Sequence, residues 1–253
     1  MIPGQEGSTP IRSEFMGVAY SGFREGQHPD RGDGAVNPSR AETLEDLNLL
    51  VARGFRLIRL YDSGKNSAMV LQVIEAHQLP IKVMLGMWLE AEVSNHAGCA
   101  WLNEPIPAEV LNAHRSTNAD EVARGIALAQ QYPEIVMAIS VGNEALVEWN
   151  DHMVPLASVL EYVRRVKAEA SQPVTVADNY RWWIEHGARL AGERDFIGVH
   201  TYPVWEGKGT DEALDYTIEN IEEVRAALPG VPLTILEAGW ATTAVEFGER
   251  ASE

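Results

Sequence analysis

Short runs of apolar, β-prone residues recur along the chain, with longer stretches of helical spacing between them. The short runs are mostly continuous rather than alternating, which is typical of parallel strands that helices cover on both faces. This pattern predicts seven strands, at residues 16–20, 57–61, 81–85, 136–141, 174–177, 196–199 and 233–236.

The intervening stretches place apolar residues three or four positions apart, as an amphipathic helix requires. Helices are predicted at residues 40–53, 67–77, 118–131, 156–170 and 211–228. The connection over residues 89–117 is too long for a simple turn. We expect it to be a loop with a short helical segment at 108–113, forming one wall of a cleft.

Regular alternation of strand and helix predicts an α/β fold, a (β/α)₈ TIM barrel, with a doubly wound open sheet as the alternative. Only seven steps are predicted, and because Glu253 follows the seventh strand so closely, we expect the eighth β/α unit to be missing from this chain. We therefore expect a flexible leader at residues 1–14 and a single catalytic barrel domain at 15–253 that is incomplete at its C-terminus. Self-association is expected if the barrel is left open.

Composition narrows the classes of partner. The 253 residues are 45% hydrophobic, which suits one large folded domain, and carry a formal net charge of -17. Such a charge argues against binding to nucleic acid or to an anionic membrane surface. No apolar run resembles an export signal or a membrane span, so a soluble chain is expected, secreted or periplasmic if a signal was removed.

Cysteine and histidine usage gives no sign of a metal centre. Cys99 is the only cysteine, which excludes an internal disulfide and a sulfur-ligated metal cluster. The spacing of His96, Cys99 and His114 matches no familiar zinc pattern. We expect no metal and no cofactor.

Two glutamates carry the candidate chemistry. Glu144 ends the apolar run of the fourth strand, and Glu237 ends that of the seventh. A buried carboxylate without partners costs several kcal/mol, so a role for both is expected. A retaining glycosidase uses such a pair about 5 to 5.5 Å apart, with Glu144 as acid/base and Glu237 as nucleophile. The alternatives are an ordinary turn with a capping Asn143 and a salt-bridged Glu237.

Polar and aromatic residues at the other strand ends could bind a sugar, which has polar edges and apolar faces. Tyr202 and Arg59 could also keep Glu237 ionised, whereas His200 is interpreted as a buried structural residue. The predicted substrate-binding residues are Tyr20, Arg59, Tyr61, Trp88, Asn143, Asp178, Asn179, Tyr180, Tyr202, Trp205 and Trp240.

Five segments at strand ends are considered together: Gly17-Val18-Ala19-Tyr20, Arg59-Leu60-Tyr61-Asp62, Val141-Gly142-Asn143-Glu144, His200-Thr201-Tyr202-Pro203 and Leu236-Glu237-Ala238-Gly239-Trp240. In combination they resemble glycoside hydrolase family seventeen, closest to its bacterial members that act on β-1,3-glucans. The resemblance covers about residues 17–242. It implies a barrel with the acid/base on strand four and the nucleophile on strand seven, net retention and no cofactor. The family's eighth strand and its glucan-contacting loop have no counterpart before Glu253.

The function expected from these observations is hydrolysis of β-1,3-glucan by a two-glutamate double displacement. A β-1,3-glucan transglycosylase is the first alternative, because a sugar hydroxyl can intercept the same covalent intermediate. A non-catalytic glucan-binding domain is the second. Its weakness is that a pure binder has no need of two paired carboxylates.

Overall fold

Seven parallel strands form the centre of the computed structural model, which describes residues 16–29 and 34–240. They are β1 (Met16–Ala19), β2 (Phe55–Arg59), β3 (Lys82–Met87), β4 (Val136–Asn143), β5 (Val174–Asn179), β6 (Ile197–Thr201) and β7 (Leu233–Ala238). Each pairs with the next in chain order. The predicted barrel is thereby confirmed as seven parallel strands, nearly closed, with alternating helices. The predicted leader at residues 1–14 lies outside the described residues.

Helices alternate with the strands. They are α1 (Arg40–Ala52), α2 (Lys65–Ala76), α3 (Ala108–Gln131), α4 (Leu156–Glu169), α5 (Tyr180–His186) and α6 (Ala213–Ala227), with short 3₁₀ helices at Gly187–Leu190 and Pro203–Glu206. Side-chain capping fixes the N-terminus of α1. Ser39 accepts the backbone N–H of Glu42, and the Glu42 carboxylate accepts that of Ser39, a reciprocal capping box.

Two helices differ from the sequence prediction. Helix α3 runs unbroken for 24 residues from Ala108, so the expected short segment at 108–113 and the expected helix at 118–131 are one element. The connection after β3 is correspondingly shorter than predicted. Helix α5 was not predicted at all. Its seven residues begin at Tyr180, directly after the N-cap Asn179, whose side-chain oxygen accepts the backbone N–H of Arg181 at 2.9 Å.

Alternate strand residues pack on opposite sides of the sheet. On β3, Val83 and Leu85 belong to the large apolar cluster between strands and helices, whereas Met84 lies in a second cluster. That smaller cluster fills the barrel interior and consists of Met84, Ala138, Ala177, Phe196 and Leu236. The position of a residue in this alternation therefore indicates whether its side chain faces the barrel axis or the helices.

The two edge strands of the described sheet are β1 and β7. In the described part of the chain they pair with β2 and β6 and not with each other. Each keeps an exposed apolar side chain, Met16 at 50% and Ile235 at 42%. Among the described residues, none of the helices is both long and apolar enough to span a membrane.

Candidate active site

The two glutamates expected to act together lie within one site. Glu144 follows β4 directly and Glu237 lies on β7. The Nδ1 atom of His200 is 3.0 Å from Oε1 of Glu144 and 3.6 Å from Oε2 of Glu237. The two carboxylate oxygens therefore lie no further apart than the sum of 3.0 and 3.6 Å, which is 6.6 Å.

Glu237 is surrounded by groups that favour its charged form. Arg59 donates to Oε1 at 2.5 Å and the hydroxyl of Tyr202 donates to Oε2 at 2.8 Å. Only 10% of the Glu237 side chain is exposed, and burial by itself raises the pKa of a carboxyl group. Here His200, Arg59 and Tyr202 outweigh burial and hold the pKa of Glu237 below its ordinary value. Glu237 is therefore an ionised carboxylate near neutral pH.

Arg59 is itself held from several sides. Its second terminal nitrogen donates to Oδ1 of Asn143 at 2.6 Å, and its guanidinium lies 4.8 Å from the ring centre of Tyr61. Burial and the charge of Glu237 raise the pKa of Tyr61 to about 12, so this phenol stays neutral. A planar guanidinium held this way fixes the carboxylate in one orientation as well as supplying charge.

Glu144 lies in a tight turn of unusual backbone. Its φ is 48°, after Gly142 at φ 80°. A left-handed conformation costs a residue other than glycine roughly 1–2 kcal/mol. The turn is held by hydrogen bonds to both backbone polar groups of Glu144: its N–H donates to the Ala177 carbonyl at 2.8 Å, and its carbonyl accepts from Nδ2 of Asn150 at 2.9 Å. These contacts keep a 22% exposed carboxyl group directed into the site.

His200 is the residue whose place in the site the sequence reasoning missed. It is fully buried on β6, and its Nδ1 faces both carboxylates while its Nε2 has no hydrogen-bond partner. The signal was present in the sequence, because His200 precedes Tyr202 by two positions. Residues two apart on a strand face the same side, so the pattern that predicts Tyr202 in the site predicts His200 there as well.

Four of the predicted substrate-binding residues are brought together around the carboxylates: Arg59, Tyr61, Asn143 and Tyr202. Three predicted aromatic residues follow strand ends at the same face of the barrel. Trp88 follows β3 and lies against His152 at 4.4 Å between ring centres, Trp205 is 47% exposed after β6, and Trp240 follows β7 and is half-buried.

Other predicted site residues have partners away from the carboxylates. The hydroxyl of Tyr20 donates to Asp46 on α1, and that of Tyr180 pairs with Tyr216 on α6. Asn179 caps α5. These contacts give all three a structural role, and their sugar-binding role stays a prediction.

Asp178, another predicted substrate-binding residue, also has its hydrogen-bond partners inside the protein. It is completely buried, and its carboxyl oxygens accept the backbone N–H groups of Leu146 at 3.0 Å and Asn179 at 2.8 Å. Burial, together with the charge of Glu144, raises the pKa of Asp178 well above its usual range. With both oxygens accepting backbone N–H groups, Asp178 anchors the segment after Glu144 to β5.

Residues 17–252 match the family model described as the BtgE/BtgC glycoside hydrolase domain. The chain belongs to this glycoside hydrolase family. A curated relative, "Probable beta-glucosidase btgE" of Aspergillus fumigatus, is 22% identical over 230 residues. That match covers 89% of this chain and 35% of the relative, so the chain spans about a third of the relative's length.

Solved glycoside hydrolases share the fold. An endo-laminarinase from Formosa Hel1_33_131 is 25% identical, with a TM-score of 0.70 over 90% of this chain and 67% of its own. The glycoside hydrolase family 17 β-1,3-glucanosyltransferase from Rhizomucor miehei is 22% identical, with a TM-score of 0.67 over 93% of this chain and 75% of its own. The β-mannanase AaManA from Alicyclobacillus acidocaldarius, at 19% identity, gives 0.60 over 94% and 73%.

The chemical capacity of this glycoside hydrolase site follows from the unlike surroundings of its two carboxyl groups. One is buried, ionised and fixed by a guanidinium and a phenol. The other is more open and touches an imidazole. Different environments suit paired carboxyl groups to different roles in one reaction. Among the described residues no cluster of three or more His, Cys, Asp or Glu side chains is arranged to hold a metal ion.

Proposed function

We propose that the chain is a retaining hydrolase of β-1,3-glucan of the family seventeen type, with Glu237 as nucleophile and Glu144 as acid/base. The observation that carries the proposal is that Nδ1 of His200 lies 3.0 Å from a Glu144 oxygen and 3.6 Å from a Glu237 oxygen. These two carboxylate oxygens are therefore at most 6.6 Å apart, the sum of 3.0 and 3.6 Å. Retaining enzymes hold the two groups about 5 to 5.5 Å apart, and inverting enzymes about 6.5 to 9.5 Å apart.

The reaction has two displacements. In the first, a carboxylate oxygen of Glu237 bonds to the anomeric carbon as the glycosidic bond breaks, and Glu144 gives its proton to the departing oxygen. In the second, Glu144 takes a proton from water, the water oxygen bonds to the anomeric carbon, and Glu237 is released as a carboxylate. The amide nitrogen of Asn143 is suited to donate to the sugar 2-hydroxyl, because its oxygen already accepts from Arg59.

The choice of a β-1,3-glucan has two supports. One is the set of motifs shared with family seventeen. The other is the overall similarity to a protein named endo-laminarinase, at 25% identity over 90% of this chain. Trp88, Trp205 and Trp240 follow three different strands at the same face and are suited to stack against glucose rings.

The test follows the anomer that is released first. Proton NMR of freshly cleaved laminari-oligosaccharides should show the β-anomer before mutarotation. First appearance of the α-anomer would contradict the proposed double displacement. Glu144→Gln and Glu237→Gln should each lower kcat/KM by at least about a thousandfold. Glu161→Gln, at an exposed glutamate on α4, is the matched control and should retain full activity.

A second candidate is transfer of the glucosyl unit to another glucan. The similarity to a protein named β-1,3-glucanosyltransferase favours considering it, and a sugar hydroxyl can replace water in the second displacement. Chromatography of products from laminarihexaose separates the two functions, because only transfer yields chains longer than the substrate. A non-catalytic glucan binder would bind the same oligosaccharide and yield no product in either assay.

A further inference from the structure

The segment that follows β4 folds back on the turn that carries Glu144. Three consecutive backbone carbonyls, those of residues 143–145, each accept a hydrogen bond from this segment. Nε2 of His152 donates to the first at 2.8 Å, Nδ2 of Asn150 to the second at 2.9 Å and the N–H of Val154 to the third at 2.8 Å. The turn with positive φ at Glu144 is therefore fastened on its carbonyl side by one short stretch of chain.

His152 also connects this turn to the neighbouring strand end. Its ring lies against that of Trp88, which follows β3, with 4.4 Å between the ring centres and an interplanar angle of 32°. A carbonyl oxygen can only accept, so Nε2 carries the proton in the contact with Asn143. Nδ1 lies 3.0 Å from the carboxylate of Asp151, which is mostly exposed, so water weakens that contact. One imidazole thus holds a backbone oxygen with its edge and an aromatic residue with its face.

The partners of His152 are anchored in the protein. The N–H of Trp88 donates to Oε1 of the buried Glu121 at 3.1 Å. The N–H groups of residues 92 and 93 donate to the carbonyl of Met153 at 3.0 and 3.2 Å, which joins the connection after β3 to the residue that follows His152. Only 12% of the His152 side chain is exposed. The hydrogen bond to the turn is therefore largely shielded from water and lies between two fixed segments.

The backbone oxygen that His152 holds belongs to a residue of the site. The side chain of Asn143 accepts from Arg59 at 2.6 Å, and the next residue is the proposed acid/base Glu144. A shift of the peptide between Asn143 and Glu144 would move both side chains, and small displacements of reacting groups lower the rate.

We propose that His152 is a positioning residue of the acid/base turn. Its Nε2–H fixes the carbonyl of Asn143, and with it the direction of the Glu144 side chain, while its ring supports Trp88. The inference rests on the proposed function.

Two substitutions separate the two contacts of His152. His152→Phe keeps a flat ring against Trp88 but has no donor for the Asn143 carbonyl. On laminari-oligosaccharides its kcat should be about tenfold lower and its KM within about twofold of the parent. His152→Gln loses the ring, but its side-chain amide can donate from near the position of Nε2. Its kcat should recover to within about threefold of the parent, whereas KM should rise about threefold because Trp88 loses its packing partner.

His77→Phe, at an exposed residue directly after α2, is the matched control and should keep the parental kcat and KM. The inference is overturned if His152→Phe keeps the parental kcat. It is equally overturned if both His152 variants lose kcat to the same extent, because the donor to the carbonyl would then not be what the turn needs. A higher KM with unchanged kcat in His152→Phe would place His152 in substrate binding instead.

Two further outcomes are separable from these. If His152→Phe loses its circular dichroism signal, the decision passes to His152→Gln, and a kcat more than about tenfold below the parent overturns the inference. If the unmodified chain cleaves none of the oligosaccharides, the proposed function is wrong and the positioning role falls with it.

Discussion

Replacing Tyr202 by phenylalanine isolates one of the interactions that keep the proposed nucleophile charged. The variant removes a single hydroxyl, which donates to Oε2 of Glu237 at 2.8 Å, and keeps the ring. Hydrogen bonds to charged groups contribute about 1.5–3 kcal/mol, and each pKa unit corresponds to about 1.4 kcal/mol. We therefore expect the pKa of Glu237 to rise by about one to two units, while Arg59 still holds the other oxygen.

The sign of the effect on activity follows from the direction of the native shift. The pKa of Glu237 lies below its ordinary value, and only the ionised form attacks the sugar. Activity of the unmodified protein is therefore lost as pH falls through this lowered pKa. In Tyr202→Phe the loss should begin about one to two pH units higher. A plateau about tenfold lower is also expected, because the carboxylate loses one of the contacts that orient it.

The assay is the pH dependence of kcat/KM on laminari-oligosaccharides between pH 3 and 8. Tyr216→Phe is the matched control, since its hydroxyl pairs with Tyr180 and touches neither carboxylate. Its acid limb should coincide with that of the parent. A Tyr202→Phe enzyme with a lower plateau but an unmoved acid limb would refute the reasoning, because the hydroxyl would then orient the carboxylate without stabilising its charge.

Three further predictions test the parts that hold the site together. Arg59→Lys keeps the positive charge but cannot donate to Glu237 and Asn143 at the same time as the guanidinium does, so kcat/KM should fall at least about thirtyfold. Near-parental kinetics would show that a positive charge alone suffices for Glu237. Asn150→Ala removes the donor to the backbone carbonyl of Glu144 and should lower kcat about tenfold with KM and circular dichroism unchanged. Gly86→Ala places a methyl group against backbone atoms of residues 60 and 61 and should lower the free energy of unfolding by about 1–3 kcal/mol in urea titrations; unchanged stability would mean that the strands can separate there without cost.

The barrel could be predicted because its strands are nearly continuous apolar runs, which buried parallel strands require. The continuity of α3 could not. Residues 114–117, which join the expected segment at 108–113 to the expected helix at 118–131, are mostly exposed, so no apolar stripe marks them as helical. Helix α5 could not be predicted for a different reason. At seven residues it is too short for a period of 3.6 to be visible, and its start depends on the cap at Asn179.

The candidate site could be predicted from the ends of the strands, but choosing among the residues there also requires knowing which side of the sheet each one faces. On β5, Val174 and Val176 face the helices and Ala177 faces the barrel interior. By that alternation Asp178 belongs with the valines, and its buried place between β5 and the Glu144 segment agrees. Tyr180 continues the same side and packs in the helix-facing cluster. Sugar-binding roles for Asp178 and Tyr180 remain predictions made from strand ends alone, without regard to the side of the sheet that each residue faces.

The alternation of side chains has an exception at Asn143 and Glu144 that the sequence pattern does not predict. This exception brings both side chains into the site. Neighbouring residues of a regular strand face opposite sides, yet Asn143 contacts Arg59 while Glu144 contacts His200. Both side chains can enter the barrel because the backbone turns through positive φ at Gly142 and Glu144. Asn143-Glu144 therefore depends on strain that the surrounding hydrogen bonds offset. For this reason, residues such as Asn150, which touches no substrate in the proposed reaction, should influence the turnover rate more than the affinity for glucan.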